Sequence, residues 1–350
     1  IFDYMDKHKI DQLLTAHHFN DQVETFLMRI EKGSGIQGLS SIKKENSIEG
    51  IKIFRPLLDF EKKDLKNYLI ENNVKWVEDE SNDDDKFKRN KLRKLLSEIS
   101  EKDSFNKRIS QSISSIKRAN DFIEKYFCKI MPDIVEFNNI GFFTIKSNLY
   151  AKEHEEIRSR IIKFICNSFA SVHKDLRADK VKNIDDFLLD GSKKSVTAFG
   201  LKFLNDGKQF LVFRELEKIP NIEIKNLENK DSKNKNPENK KFFELDNYKW
   251  DNYFISFKNK PQDSERLIIG ALGKENIKHV KENIRNSHIH KEIIATLPCL
   301  KKIDYYDDKK VEKILCAPHI SYISKESQEF SAEFISRNII EDFFNNSKLP

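Results

Sequence analysis

Residues 15–35, TAHHFNDQVETFLMRIEKGSG, hold two adjacent histidines, Asp21 and Glu24 three positions apart, and a Gly-Ser-Gly within one short stretch. Carboxylates three apart on a helix lie on one face. Such a pair can hold an amine and accept charge as the amine loses its proton, while His17 can donate a hydrogen bond to an anion. The same residues also have a plain structural explanation. Asp21 would be the N-cap of a helix with Glu24 reaching back as in a capping box, and Gly33 and Gly35 would stop that helix and turn the chain. His17 and His18 weigh toward chemistry, because a strand end has little structural use for neighbouring imidazoles. A metal held by His17, Asp21 and Glu24 would need a spacing that zinc sites do not use, so no metal site is assigned.

The elements that must position these residues alternate along the first hundred positions. IDQLLTA (10–16) and IKIFRPLL (51–58) read as strands, QVETFLMRI (22–30) and KKDLKNYLIEN (62–72) as amphipathic helices, and VKWVED (74–79) as a third extended piece. Strands alternating with helices predict βαβ units, hence an α/β fold with a parallel sheet covered by helices. Ligands of such sheets sit at the carboxyl ends of the strands, where the opening motif lies.

Beyond residue 101 the pattern changes. Ile109, Ile113, Ile116, Phe122 and Ile123 predict a long helix, with further helices at 155–169 and 176–189, and Asn205-Asp206-Gly207 reads as a hairpin turn. Residues 101–218 are therefore expected to form a helical domain with a small hairpin. KNLENKDSKNKNPENKK (225–241) has too little apolar content for a core, and 219–241 is expected to be a linker. Residues 242–350 mix strand-like runs with a helix-like stretch and predict a small α+β domain.

At 350 residues the chain has length for two or three domains. It contains no run of the roughly 18 apolar residues that a membrane span needs and no secretory leader pattern, so a cytoplasmic protein without a membrane partner is expected. Cys128, Cys166, Cys299 and Cys316 are far apart with no C-x-x-C pair, which argues against a zinc or iron–sulfur site and for reduced thiols. The chain carries 63 Lys+Arg against 57 Asp+Glu, a net charge of +6. Residues 1–100 contribute −1, 101–218 contribute +5 and 219–350 contribute +2, so the basic excess lies outside the segment bearing the motif. That distribution is compatible with a nucleic-acid substrate held by the later segments.

Five motifs in order carry a family resemblance: His17-His18-x-x-Asp21-x-x-Glu24-Thr25; Lys32-Gly33-Ser34-Gly35-Ile36-x-Gly38-Leu39; Arg55-Pro56-Leu57-Leu58; Trp76-x-x-Asp79-x-Ser81-Asn82; and Arg89-Asn90-x-x-Arg93. Together they resemble the tRNA(Ile)-lysidine synthetase family of PP-loop, N-type ATP pyrophosphatases. The resemblance implies a Rossmann-like PP-loop catalytic domain over 1–100, a helical tRNA-binding domain over 101–218 and a C-terminal domain over 242–350 that recognises tRNA. It implies a ligase that consumes ATP, with Mg2+ accompanying the nucleotide. The enzyme would adenylate the wobble cytidine of the CAU-anticodon tRNA(Ile), and L-lysine would then displace AMP to give lysidine, changing decoding from AUG to AUA. In this frame Asp21 and Glu24 would hold lysine, and His17, Arg89 and Arg93 would stabilise the charge of the adenylate. Gly33, Ser34 and Gly35 would let nucleotide approach the backbone, Arg55 and Asn90 would shape the nucleotide and RNA pocket, and Trp76 would be a core residue. The oligomeric state is open, with a homodimer allowed.

Asn20 and Lys32 depart from the family's usual aspartate and arginine. The family's S-G-G-x-D-S phosphate loop does not occur in this chain; it is expected upstream of Ile1, and this polypeptide alone is expected not to use ATP. Two alternatives stay open from the sequence: another PP-loop tRNA-modifying enzyme that thiolates cytidine, and a noncatalytic tRNA-binding remnant.

Overall fold

The structure, a computed structural model, describes residues 1–40, 42–48, 51–77, 88–99, 102–169, 176–224, 248–257, 267–285, 287–306, 309–324, 330–334, 340–341 and 343–344. The chain divides into two compact units, Ile1–Tyr126 and Phe127–Pro350. Of the expected linker, 225–241 lies outside the described residues, as do Asp79, Ser81 and Asn82 of the fourth motif.

In the first unit the order is α1 (Phe2–Lys7), β1 (Gln12–Leu14), α2 (Phe19–Glu31), α3 (Ile36–Leu39), β2 (Glu45–Ile48), β3 (Ile51–Phe54), α4 (Lys62–Glu71) and α5 (Lys88–Ser97), followed by α6 (Lys102–Ile134), within which the division between the units falls. β1 and β3 pair in parallel, Leu13 opposite Ile53, as the alternation predicted. The sheet is nevertheless mixed, because β2 pairs antiparallel with β3 in the order β1-β3-β2. Its sequence, ENSI, has too little apolar character to announce a strand. Met5, Val23, Phe26, Ile53, Leu58, Leu96 and Ile113 form the buried apolar set here among the described residues. Trp76, expected in the core, is 43 % exposed with the Lys66 ammonium 6.0 Å from its ring centre. Its indole is large enough to lie on the surface under the lysine stem rather than be enclosed.

The second unit begins with β4 (Val135–Asn138), β5 (Phe142–Ile145), α7 (Ser147–Tyr150), α8 (Glu155–Asn167) and α9 (Ala178–Asp190), then β6 (Ser195–Ala198), β7 (Leu201–Asn205) and β8 (Phe210–Arg214). The strands make one antiparallel five-stranded sheet in the order β4-β5-β8-β7-β6, more than the single hairpin expected between 101 and 218. β4 and β5 escaped the sequence reading because a four-residue apolar run such as FFTI, buried throughout, has no periodicity to separate strand from helix. Phe143, Ile161, Ile162, Ile165, Phe203 and Val212 have no exposed surface. The tight two-residue turn lies at Phe199-Gly200, where both φ angles are positive, between β6 and β7. Asn205-Asp206-Gly207 does turn the chain from β7 to β8, but as a longer loop in which Asp206 Oδ1 accepts from the N–H groups of Lys208 and Gln209.

The remaining elements are β9 (Ile222–Ile224), β10 (Tyr248–Trp250), β11 (Tyr253–Phe257), β12 (Leu267–Ala271), α10 (Lys281–Ile284), α11 (Lys291–Thr296), β13 (Pro298–Tyr306), β14 (Lys309–Ala317), β15 (Tyr322–Ile323) and β16 (Phe330–Phe334). They form a sheet ordered β15-β14-β13-β12-β9 and a three-stranded sheet ordered β10-β11-β16. β9, placed in the linker from its sequence, instead pairs antiparallel with β12. Arg214 holds Asp251 by two hydrogen bonds of 2.7 and 2.8 Å, and Trp250 donates to Pro220 O at 2.9 Å.

Candidate active site

β1 ends at Leu14, and the chain passes His17 and His18 before entering α2. His18, not Asp21, is the N-cap residue of that helix. Asp21 is the third helical residue, and its Oδ2 accepts the His18 backbone N–H at 2.8 Å. The capping box expected from Asp21 and Glu24 is thus displaced toward the N-terminus, and Glu24 is released from any capping duty. The helix begins earlier because Phe19 N–H bonds Phe60 O at 2.9 Å and Asn20 Oδ1 accepts Lys62 N–H at 2.9 Å, which ties its first turn to the start of α4.

Asp21 and Glu24 are 7 % and 5 % exposed, and both face α5. Arg89 reaches both carboxylates, with Nη2 on Asp21 Oδ1 and Nε 2.5 Å from Glu24 Oε2. Arg93 Nε donates to Glu24 Oε1 at 2.8 Å, and its Nη2 lies 4.0 Å from Asp21 Oδ1. Arg89 and Arg93 are one helical turn apart on α5, as Asp21 and Glu24 nearly are on α2, so the two pairs meet side by side. The hydrogen bond that Arg93 donates to Glu24 holds its guanidinium above the ordinary range. His18 Nδ1 lies 3.4 Å from Asp21 Oδ2. Burial lowers the His18 pKa below its usual 6.5, against the opposing pull of Asp21 and Glu24.

The other sequence candidates are placed differently. His17 Nδ1 shares a 2.8 Å hydrogen bond with Thr15 Oγ1. Asn90 is buried beside Arg89 on α5. Arg55 follows β3 and braces the preceding segment, with Nη1 donating to Lys43 O at 3.0 Å and Asn46 Oδ1 at 2.7 Å. Gly33 adopts φ +66° just past α2, where its N–H bonds Ile30 O and the Ser34 N–H bonds Arg29 O. These two bonds close the helix C-terminus, so neither amide is left to cradle a phosphate. Gly35 is the N-cap of α3.

Three residues in the first unit were not singled out from the sequence. Gln22, 7 % exposed, brackets the Ile42 peptide, donating to its O and accepting from its N–H, each at 3.0 Å. Arg29 Nη1 donates to Gly38 O. Gln22 and Arg29 are seven residues apart, hence on one face of α2, and together they fix the glycine segment. Asn106 on α6 is 3 % exposed and lies near Glu24 and Arg93. A Gln inside D-x-x-E carries no chemical signal by itself, and an Asn in a long helix carries none.

Among the described residues no group of three His, Cys, Asp or Glu side chains is placed to hold a metal ion. No helix of the described residues is long and apolar enough to cross a membrane.

Residues 1–99 match the PP-loop domain family. Over 339 residues the chain is 28 % identical to the tRNA(Ile)-lysidine synthase of Wolbachia pipientis wMel, an alignment spanning 97 % of this chain and 72 % of that protein. It is 29 % identical over 335 residues to the tRNA(Ile)-lysidine synthase of Rickettsia akari (strain Hartford), covering 92 % of this chain and 70 % of the relative. To the tRNA(Ile)-lysidine synthase of Wolbachia sp. subsp. Brugia malayi (strain TRS) it is 33 % identical over 223 residues, covering 63 % and 52 %. The carboxylate–guanidinium cluster therefore belongs to a PP-loop domain, in a chain related along most of its length to the tRNA(Ile)-lysidine synthases.

Proposed function

We propose that this protein is a ligase that makes lysidine on tRNA(Ile), consuming ATP and L-lysine. ATP would adenylate O2 of the wobble cytidine with release of pyrophosphate, and the ε-amine of lysine would then form the C2–N bond as the C2–O bond to AMP breaks. The observation that carries this reading is the buried Asp21–Glu24 pair in the first turns of α2, locked to Arg89 and Arg93. It sets amine-compatible carboxylates beside phosphate-compatible guanidinium groups in one place, as a reaction joining an amine to an adenylate requires. In sequence His17 precedes the carboxylate pair and Asn90 lies between Arg89 and Arg93, and Arg55 orders the strand that follows the glycine segment. Mg2+ would arrive with the nucleotide, and no residue here is assigned to it.

The thiolating alternative finds no support in the cysteines. Cys166, Cys299 and Cys316 are buried, and burial pushes the Cys166 and Cys299 thiols up to about 12. Nucleoside analysis of tRNA(Ile) transcript incubated with ATP, lysine and a form of the protein that carries the S-G-G-x-D-S phosphate loop ahead of these residues tests the proposal, since the polypeptide without that loop is expected not to use ATP. The expected product is lysidine at the wobble position, formed with wild-type protein and lost with Glu24→Gln. Thiolated cytidine, or unmodified tRNA, would refute it.

A further inference from the structure

Glu24 and Arg93 also line a cavity of about 40 Å³, together with Asn20 and Val23 of α2, Leu96 of α5 and Asn106 of α6. The cavity suits a head group of a few atoms and not a nucleotide. Asn106 Oδ1 is buried there without a hydrogen-bond donor, while Asn20 Oδ1 is engaged by Lys62 N–H. A buried acceptor left unsatisfied is costly, so the site calls for an occupant that brings an N–H or O–H.

Charge narrows the occupant further. Asp21 and Glu24 from α2 are balanced by Arg89 and Arg93 from α5, so the cluster is electroneutral. His18, neutral above its lowered pKa, adds no negative charge, and Lys62 at the head of α4 adds a positive one. A full ammonium placed against the Arg93 wall would stand uncompensated in a partly dry site. An uncharged amine would not.

Building on the lysidine-synthase reading, we infer that this cavity receives the ε-amine of lysine as the free base, with Asn106 Oδ1 accepting one of its N–H groups. Arg89 and Arg93 then act by cancelling the carboxylate charge. The amine leaves its proton to solvent on entry and arrives as a nucleophile. Its lone pair forms the C2–N bond, the C2–O electron pair departs with AMP, and one amine proton is lost afterwards. The apolar walls from Val23 and Leu96 accommodate the adjoining methylene.

Calorimetric titration of L-lysine into the full chain at pH 7.5, in two buffers of different ionisation enthalpy, reads the protons exchanged on binding. Free lysine is protonated at that pH, and wild-type protein is expected to release about one proton per lysine bound. Arg89→Gln leaves the cluster negative and is expected to bind lysine more tightly while releasing markedly less; Arg89→Lys, which keeps the charge, is expected to release as wild type does. Asn106→Leu is expected to weaken lysine binding about ten-fold, and Asn106→Asp to restore binding with less proton release, a pairing that lost folding would not produce. Proton-neutral lysine binding by the wild type, or unchanged release in Arg89→Gln, overturns the inference while lysidine formation stands. Undiminished binding by Asn106→Leu means that the cavity holds only water and also overturns it. Absence of both lysine binding and lysidine product refutes the functional reading along with it.

Discussion

Glu24 has both carboxylate oxygens committed, Oε2 to Arg89 and Oε1 to Arg93. Removing its charge leaves two guanidinium groups facing a neutral amide. Losing one partner of a buried pair costs ~3–5 kcal/mol, and the arginines here are 37 % and 31 % exposed, so water recovers part of that. Glu24→Gln is therefore expected to destabilise the protein by about 2 kcal/mol, read from denaturant unfolding. Asp21→Asn has a smaller expected cost, about 1 kcal/mol, because the amide oxygen can still accept the His18 N–H. Equal losses for the two variants would show that the charge of Glu24 is not held in the way the geometry indicates.

At the level of the element, α2 organises the first unit through two faces. Asp21 and Glu24 grip α5, while Gln22 and Arg29 hold the chain from Gly38 to Ile42. Gly33 ends the helix in a left-handed conformation that an L side chain adopts at a cost of roughly 1 kcal/mol. Nothing lies within 4 Å of a Cβ built there, so Gly33→Ala is expected to lose about that much and no more. At Gly38 the reason is steric: a Cβ would stand 2.9 Å from Ser34 Cβ. Gly38→Ala must move α3 against the end of α2, and thermal melting is expected to show a larger loss than Gly33→Ala. The reverse order would mean that backbone conformation, not close approach, fixes this segment.

For the molecule as a whole, acid sensitivity follows from buried histidines. His319 in the second unit is depressed by burial to about 4, its Nε2 has no hydrogen-bond partner, and the Tyr253 ring lies 5.8 Å away. The unfolded chain takes up the proton near pH 6.5 while the folded chain refuses it, so stability falls as pH drops below 6.5 and the loss levels off near 4. The full difference corresponds to roughly 3 kcal/mol. Urea unfolding of wild type and His319→Asn at pH 7 and pH 4.5 is expected to show a shallower acid loss in the variant; parallel losses would place the acid sensitivity elsewhere. RNA affinity is expected to come from the later segments, since residues 101–218 carry +5 and 219–350 carry +2 against −1 for residues 1–100. Binding of tRNA is expected to weaken by roughly a hundred-fold between 50 and 200 mM salt if about four phosphates are neutralised. An affinity indifferent to salt would count against tRNA as the partner.

Residue types and their spacing determined the chemical vocabulary of this protein: a carboxylate pair on a helix after a strand, an arginine pair one turn apart downstream, and the parallel pairing of β1 with β3. These were legible because they are local, resting on helical periodicity and strand alternation over a few residues. They did not reveal that the carboxylates and arginines neutralise one another, since Glu24 and Arg89 are 65 positions apart and only the packing of α5 on α2 brings them to 2.5 Å. The helix start was misplaced for a similar reason: the Phe19 to Phe60 and Asn20 to Lys62 bonds that fix it come from a distant segment. The sheet of the second unit was underestimated because strands such as FFTI are buried on both faces and so lose the alternation that marks a half-exposed strand. Asn106 became visible only in the structure, because an unsatisfied buried acceptor is defined by what surrounds it, and the sequence carries no record of those surroundings.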